Sequence, residues 1–315
     1  MLPRHIEPIP GPTSPKGSSA PSKLPAVLTR LTSWLLLCLL ALILVGCNSN
    51  EVVIGGKERT KQYSTVVSLA PSATDFLLVR FQAANVLKGV TDVDDSPLVK
   101  DKIRVVKNTK LDAEALTALK PDLIVYDSQL WTEQALAPAK ATGAEMVDIN
   151  VQSLDAYIEK SYELAKKFGN ELSASEYLDV IDSARSSVRG NLGTLAKPKV
   201  TLLLVSNGYM VAGSKSMAAD LIRNAQGEFI GPDSVRYETV NVEWLLQNQP
   251  DIIFVLGEGA DKVLADPRLA PVSAVKTQNV FDINETQMSR YTAIDRLITS
   301  IGSRVVEWAK KNQGN

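Results

Sequence analysis

Two segments of this chain repeat one another. Glu114-Ala-Leu-Thr-Ala-Leu-Lys-Pro121-Asp122-Leu-Ile-Val and Glu243-Trp-Leu-Leu-Gln-Asn-Gln-Pro250-Asp251-Ile-Ile-Phe share a Glu, a Leu two residues on, Pro-Asp at the same offset and an apolar run behind it. Each reads as helix, stop and strand, because the residue ahead of a proline is pushed out of the right-handed helical region. The copies stand 129 residues apart. That is far beyond the roughly 20 to 50 residues of a solenoid period and suits two similar lobes.

The pattern around the repeat is of one kind. TVVSLA (65–70), LIVYD, MVDI, VTLLLV, IIFVL and NVFDI are short apolar runs, several too continuous to be buried on one face only. Between them lie helical stretches such as 73–81, LWTEQALAPAKATG and SMAADLIRNAQG, the last two stopping at glycine, where a left-handed cap is cheap. Strands alternating with helices imply parallel βαβ units, and the fold class expected is α/β, two doubly wound parallel-sheet lobes. Leu154 to Phe168 reads as a helix broken at Gly169-Asn170. The longest helical stretch follows, with Leu178, Ile181, Val188, Leu192 and Leu195 along one stripe. It is read as a connecting helix, 171–196, between an N-terminal lobe, 65–170, and a C-terminal lobe, 197–315.

The first 64 residues are organised differently. Arg4, Lys16, Lys23 and Arg30 against the single acid Glu7 are followed by an uncharged stretch, 31–46, whose apolar core runs from Trp34 to Val45. That core is shorter than the roughly 18 to 20 residues needed to cross a bilayer. Leu44-Val45-Gly46-Cys47, placed at its end, resembles the bacterial lipoprotein signal, in which a small residue precedes a cysteine that is diacylated and becomes the new N-terminus. The expectation is a signal peptide over 1–46, lipid attachment at Cys47 and a flexible tether over 47–64, polar and glycine-containing.

This processing would narrow the chemistry. The only histidine, His5, and the only other cysteine, Cys38, would leave with the signal. Ser-His-Asp and Cys-His catalysis, the usual structural zinc sites and histidine-ligated haem are then excluded. A net charge of −1 with no Lys/Arg-rich run interleaved with aromatics argues against a nucleic-acid partner.

Taken together, VVSLAPSATDFL, ALKPDLIV, YMVAGSKSMAADLI, QPDIIFV and AIDRLITSIGSRVV resemble, in order and spacing, the solute-binding proteins of bacterial ABC importers. The likeness is to the class with a rigid helical backbone between its lobes, which handles iron-siderophores, haem and cobalamin. It implies a monomer that is not an enzyme and has no cofactor of its own. Its partners are a small-molecule metal chelate, the permease subunits of an ABC importer, and the membrane through the lipid anchor.

It also implies roles for residues. Glu114 and Glu243 stand where the family places a glutamate on each lobe to meet arginines of the transporter. The ligand is expected at the carboxyl ends of the strands, with candidates Ser72, Asp92 and Asp95 in TDVDDSP, Tyr126 and Trp131, Asn207 and Tyr209, Tyr237, and Arg290 with Tyr291. Arginine suits an anionic chelate, and Tyr or Trp supplies flat apolar contact with a polar tip. Haem would have to be held by a Tyr or Met, such as Tyr209, Met210 or Met288. The aspartates of DVDD lack the spacing of a calcium loop and read as a solvated turn, so no metal site is expected.

The chain departs from its relatives in having Arg80-Phe81 where a glycine usually closes the first helix, and DVDDSP where an aromatic loop is common. No tryptophan stands at Asn108 or Asp127, where some relatives stack cobalamin. The balance leans to an iron-siderophore, a polar, oxygen-rich chelate, ahead of cobalamin or haem. The altered loops also permit an alternative, a relative repurposed as an envelope interaction protein without transport. An enzyme using cleft carboxylates is the third and weakest reading.

Overall fold

The computed structural model describes residues 61–313. The signal segment, Cys47 and most of the tether lie outside the described residues.

The first lobe is a five-stranded sheet in the order β3-β2-β1-β6-β7, parallel throughout. Its strands are β1 (Val66–Ser68), β2 (Leu87–Val90), β3 (Ile103–Arg104), β6 (Leu123–Tyr126) and β7 (Glu145–Asp148), with a small antiparallel pair, β4 (Val106–Lys107) and β5 (Lys110–Leu111), between β3 and β6. Its helices are α1 (Pro71–Asp75), which runs on into a π turn over Phe76–Arg80, then α2 (Ala113–Leu119), α3 (Ala137–Lys140) and α4 (Leu154–Phe168). Only four residues of LWTEQALAPAKATG are α-helical. Pro138 sits in the first turn of α3, where its missing N–H costs nothing, and the residues before it are turns.

α5 (Glu171–Leu192) leads into the second lobe. There β8 (Lys199–Val205), β9 (Tyr209–Ala212), β10 (Glu228–Phe229), β11 (Tyr237–Val240), β12 (Ile252–Leu256) and β13 (Val280–Ile283) form one sheet. Its order is β11-β9-β8-β12-β13, with β10 also beside β8. Five helices belong to it: α6 (Met217–Asn224), α7 (Val242–Asn248), α8 (Ala260–Ala265), α9 (Ser273–Lys276) and α10 (Glu285–Arg290), before α11 (Ile294–Lys311) closes the chain. The α/β two-lobed class expected is the one observed. The second sheet adds an antiparallel edge to it: Tyr209–Ala212 returns along β8 as a hairpin and takes β11 as an antiparallel neighbour.

Strand alternation divides the core into layers. Val66, Leu87, Leu123 and Val125 of the first sheet and Val200, Leu202, Ile252 and Phe254 of the second face one continuous core, filled by α4, α5 and α11 through Leu164, Ile181, Val188, Leu297 and Ile301. Val67 and Ile124 point to the opposite face, under α2. Leu203, Ile253 and Val255 do the same in the second lobe. Each sheet is therefore covered on both faces, which is why its strands read as unbroken apolar runs. α5 and α11 approach closely at Gly302, where a Cβ would stand 2.4 Å from the Val188 side chain.

The sequence repeat is a repeat of structure. α2 is capped by Asp112, whose side chain accepts from the Ala115 N–H, and α7 by Asn241, which accepts from Trp244. Both helices end on a left-handed residue just before the proline, Lys120 at φ 49° and Gln249 at φ 45°. The proline bars the right-handed conformation there, and the chain takes the left-handed one. Asp122 then accepts from the Thr65 N–H ahead of β1, and Asp251 from the Lys199 N–H at the start of β8.

Candidate functional site

The carboxyl ends of both sheets border a groove of about 280 Å³ between the lobes. Gln129 and Leu130, just past β6, form its first-lobe wall; Met217, Val235, Arg236, Tyr237, Met288 and Tyr291 line the second-lobe side. Leu130 is 59% exposed and Val235 39%, so apolar surface on both walls stands open to solvent. Burial pushes the hydroxyl of Tyr237 well above its ordinary range, and that of Tyr291 up to about 12. Neither hydroxyl makes a hydrogen bond among the described residues.

Beside the groove, Ser72, Phe76, Tyr157, Arg290 and Tyr291 line a narrow crevice. Arg290 reaches from the second lobe to the first, with its Nη1 2.9 Å from an Asp95 oxygen and 3.3 Å from an Asp75 oxygen. Burial raises the Asp75 carboxyl in spite of Arg290. The exposed Asp95 is lowered by the hydrogen bond from Arg290. Arg290 is thus already compensated by two carboxylates. The chain following it is tied to the first lobe and to α5 as well: Arg80 donates to the Thr292 carbonyl while its guanidinium lies 3.3 Å from the Tyr177 ring centre. The Tyr177 hydroxyl accepts from the Ile294 N–H.

Of the expected ligand residues, the structure gathers Tyr237 and Tyr291 in the groove and Ser72 and Arg290 in the crevice, with Asp95 held on Arg290. The others do not line the groove. Asp92 accepts from the Asn108 N–H at 2.9 Å. Asn207 sits exposed in the β8–β9 turn. Tyr126 and Trp131 pack on the core under α2 and α3, the Trp131 indole N–H donating to the Leu69 carbonyl at 2.8 Å. Tyr209 faces the core on the far side of the second sheet and donates to Asp266 at 2.7 Å. Met288, by contrast, lies in the groove wall. Gln129, Leu130, Val235 and Arg236 were missed by sequence reasoning. The signal available for Arg236 was its place beside Tyr237, behind the Gly231-Pro232 turn.

Asp94 is buried and accepts from both the backbone N–H and the hydroxyl of Thr91 at 2.7 Å, so the aspartate-rich loop, expected as a solvated turn, closes on itself there while Asp92 and Asp95 reach partners outside it. Among the described residues no three His, Cys, Asp or Glu side chains come together as a metal-ligand set. Glu114 and Glu243 are both exposed, each in the first turn of its helix, two residues past the cap.

Two α/β lobes joined by long helices, with a groove at the carboxyl ends of their strands, define a solute-binding protein. The family model described as periplasmic binding protein matches residues 66–286, and the chain belongs to that family. A vitamin B12-binding protein of Salmonella choleraesuis (strain SC-B67) is 23% identical over 198 residues, 62% of this chain and 73% of the relative. The high-affinity heme uptake system protein IsdE of Staphylococcus aureus (strain MRSA252) is 26% identical over 209 residues, 62% of this chain and 71% of the relative. The crystal structure of the periplasmic vitamin B12 binding protein BtuF of Vibrio cholerae matches with a TM-score of 0.65, covering 80% of this chain and 99% of that chain at 21% identity. At that identity the likeness shows the fold. Members of the family bind small-molecule solutes in the cell envelope and work with ABC transporters; they are not enzymes.

Proposed function

We propose that this chain is a lipid-anchored receptor that captures a metal chelate and delivers it to an ABC importer, with an iron-siderophore as the first candidate and haem and cobalamin as the others. The observation that carries this reading is the standing groove between the lobes, whose walls combine apolar Leu130, Met217, Val235 and Met288 with polar Gln129 and Arg236 and the Tyr237 and Tyr291 hydroxyls. Such a site suits a ligand with a broad apolar body and polar edges. The protein's own side chains assemble no metal-ligand set among the described residues, so a metal would arrive with its chelator. Haem and vitamin B12 enter as candidates through the heme uptake and vitamin B12-binding relatives.

In this reading processing leaves Cys47 as the acylated first residue, residues 47–64 tether the two lobes to the membrane, and Glu114 and Glu243 orient the loaded protein on the permease. Charge pairs of that kind raise encounter rate and fix register more than they add affinity.

The test is titration of the purified chain from Ser49 onward with ferric siderophores, haemin and cobalamins, followed by tryptophan quenching. Trp131 lies next to Leu130 of the groove wall and should report occupancy. One saturable ligand supports the proposal. No saturable ligand across the panel overturns it and favours an envelope interaction role. Mass spectrometry of the mature N-terminus checks the anchor, since an uncut chain with unmodified Cys47 removes it.

A further inference from the structure

We infer that Arg236 is the residue by which the groove distinguishes ligands, and that it selects those carrying an anionic group at the rim of an apolar body. The inference rests on the proposed binding function and names the ligand class of that same groove. Arg290, the arginine that sequence reasoning favours, is occupied by Asp75 and Asp95. Arg236 is exposed in the groove wall, and its guanidinium has no hydrogen-bond or ion-pair partner among the described residues.

The carboxylates nearest to it in the chain bond elsewhere. Asp233, three residues before, is taken by Lys215 at 2.8 Å. Glu238, two residues after, accepts from the Ser234 hydroxyl at 2.6 Å. Ser234 also accepts from the Arg236 N–H through its side-chain oxygen and from the Lys215 N–H through its carbonyl. The Ser214 N–H donates to the Pro232 carbonyl at 2.7 Å.

Only glycine admits this packing. A Cβ on Gly213 would stand 2.1 Å from the Ser234 carbonyl oxygen, and one on Gly231 2.3 Å from that of Ala212. The backbone beneath Arg236 is therefore fixed before a ligand arrives. A guanidinium carried on a pinned backbone, in the same groove as the unpartnered hydroxyls of Tyr237 and Tyr291, can bind a carboxylate or phenolate edge with two N–H donors.

The experiment compares two pairs of probes on the chain from Ser49 onward: haemin against its dimethyl ester, and a ferric tris-catecholate against a neutral ferric tris-hydroxamate. Wild type should bind the anionic member of a pair more tightly. Arg236→Gln should lose roughly ten- to a hundredfold for the anionic member and little for the neutral one, while Arg236→Lys keeps part of the preference. An unchanged melting temperature in Arg236→Gln excludes a folding defect. Wild-type preference retained in Arg236→Gln, or equal affinity for both members in wild type, overturns this inference and leaves the binding function standing. Absence of binding to every probe overturns both.

Discussion

The α2–β6 unit of the first lobe and the α7–β12 unit of the second are nearly the same object. Each has an N-capped helix, a left-handed exit, Pro-Asp, and a strand buried on both faces. The strands beyond these units are not alike. The first sheet stays parallel to its edges, whereas the second turns back on itself at β9 and β11 and hangs the Gly231–Arg236 loop over the groove. The difference teaches where variation is tolerated. The repeated unit supplies an interior strand of each sheet and carries packing, while the antiparallel edge, free on one side, adds Val235, Arg236 and Tyr237 to a groove that Gln129, Leu130, Met217, Met288 and Tyr291 also line.

This contrast can be broken at several points. The largest effect is expected from reversing the two exposed glutamates together. Glu114→Lys with Glu243→Lys should abolish stimulation of the transporter's ATPase and leave ligand affinity intact, each single change giving a comparable partial loss. A loss that belongs wholly to one of them would show that the repeat is not functionally symmetrical, and unchanged stimulation in the double variant would remove the docking role.

Next come the matched core positions Leu123 and Ile252, both fully buried directly after the Pro-Asp pair. Truncation of either to Ala should cost about 3 kcal/mol by denaturant unfolding, from lost transfer energy plus the cavity left behind. A gap of more than about 2 kcal/mol between them would mean that one lobe relaxes where the other does not.

The aspartates of the pair should differ. Asp122 accepts from the Ser64 N–H, the Ser64 hydroxyl and the Thr65 N–H at 2.5, 2.8 and 2.9 Å, and Asp251 from the Lys199 N–H at 2.8 Å. Asp122→Ala is expected to cost about 2 kcal/mol and Asp251→Ala about 1 kcal/mol, so equal losses would show that the bonds to Ser64 add nothing.

The smallest effect concerns acid. Glu145 on β7, bonded by Lys167, Tyr63 and Lys61, has its carboxyl pulled down to about 2, and the Ser64 N–H lowers Asp122. Carboxylates depressed in the folded state contribute stability that is whole above their ordinary range and fades as pH falls through the folded value. Glu145→Gln should therefore lower stability at pH 7 and flatten the further loss between about pH 4.5 and pH 2, so that the two proteins converge in acid. An unaltered acid limb would make these surface bonds irrelevant to folding.

Much of this was legible in the chain itself. Pro-Asp behind a Leu-bearing helix gave both central units, because proline and strand patterning act locally. The Ile181, Val188 and Leu192 stripe gave α5, since a helix buries what its own period lines up. The groove was only partly legible. Tyr209–Ala212 is not among the strands expected, because its place depends on pairing with β8 and β11. The left-handed residue after α6 is Gln226, not Gly227, whose role is instead to let Val200 and Ile222 approach. Arg290 looks free until Asp75 and Asp95 are brought to it from about 200 positions away in sequence. Arg236 needs two glycines, Gly213 and Gly231, to meet carbonyls outside their own turns. Such long-range contacts leave no periodic trace.

The crossing from Arg290 to Ile294 has a mechanical meaning. In it, one guanidinium per lobe grips the other lobe, and the Tyr177 hydroxyl pins the start of α11 to α5. A clamp bolted together in this way cannot swing its jaws widely without breaking charge-assisted bonds. Ligand entry then demands little rearrangement, association stays close to the rate set by encounter, and residence time becomes the quantity on which different ligands are told apart.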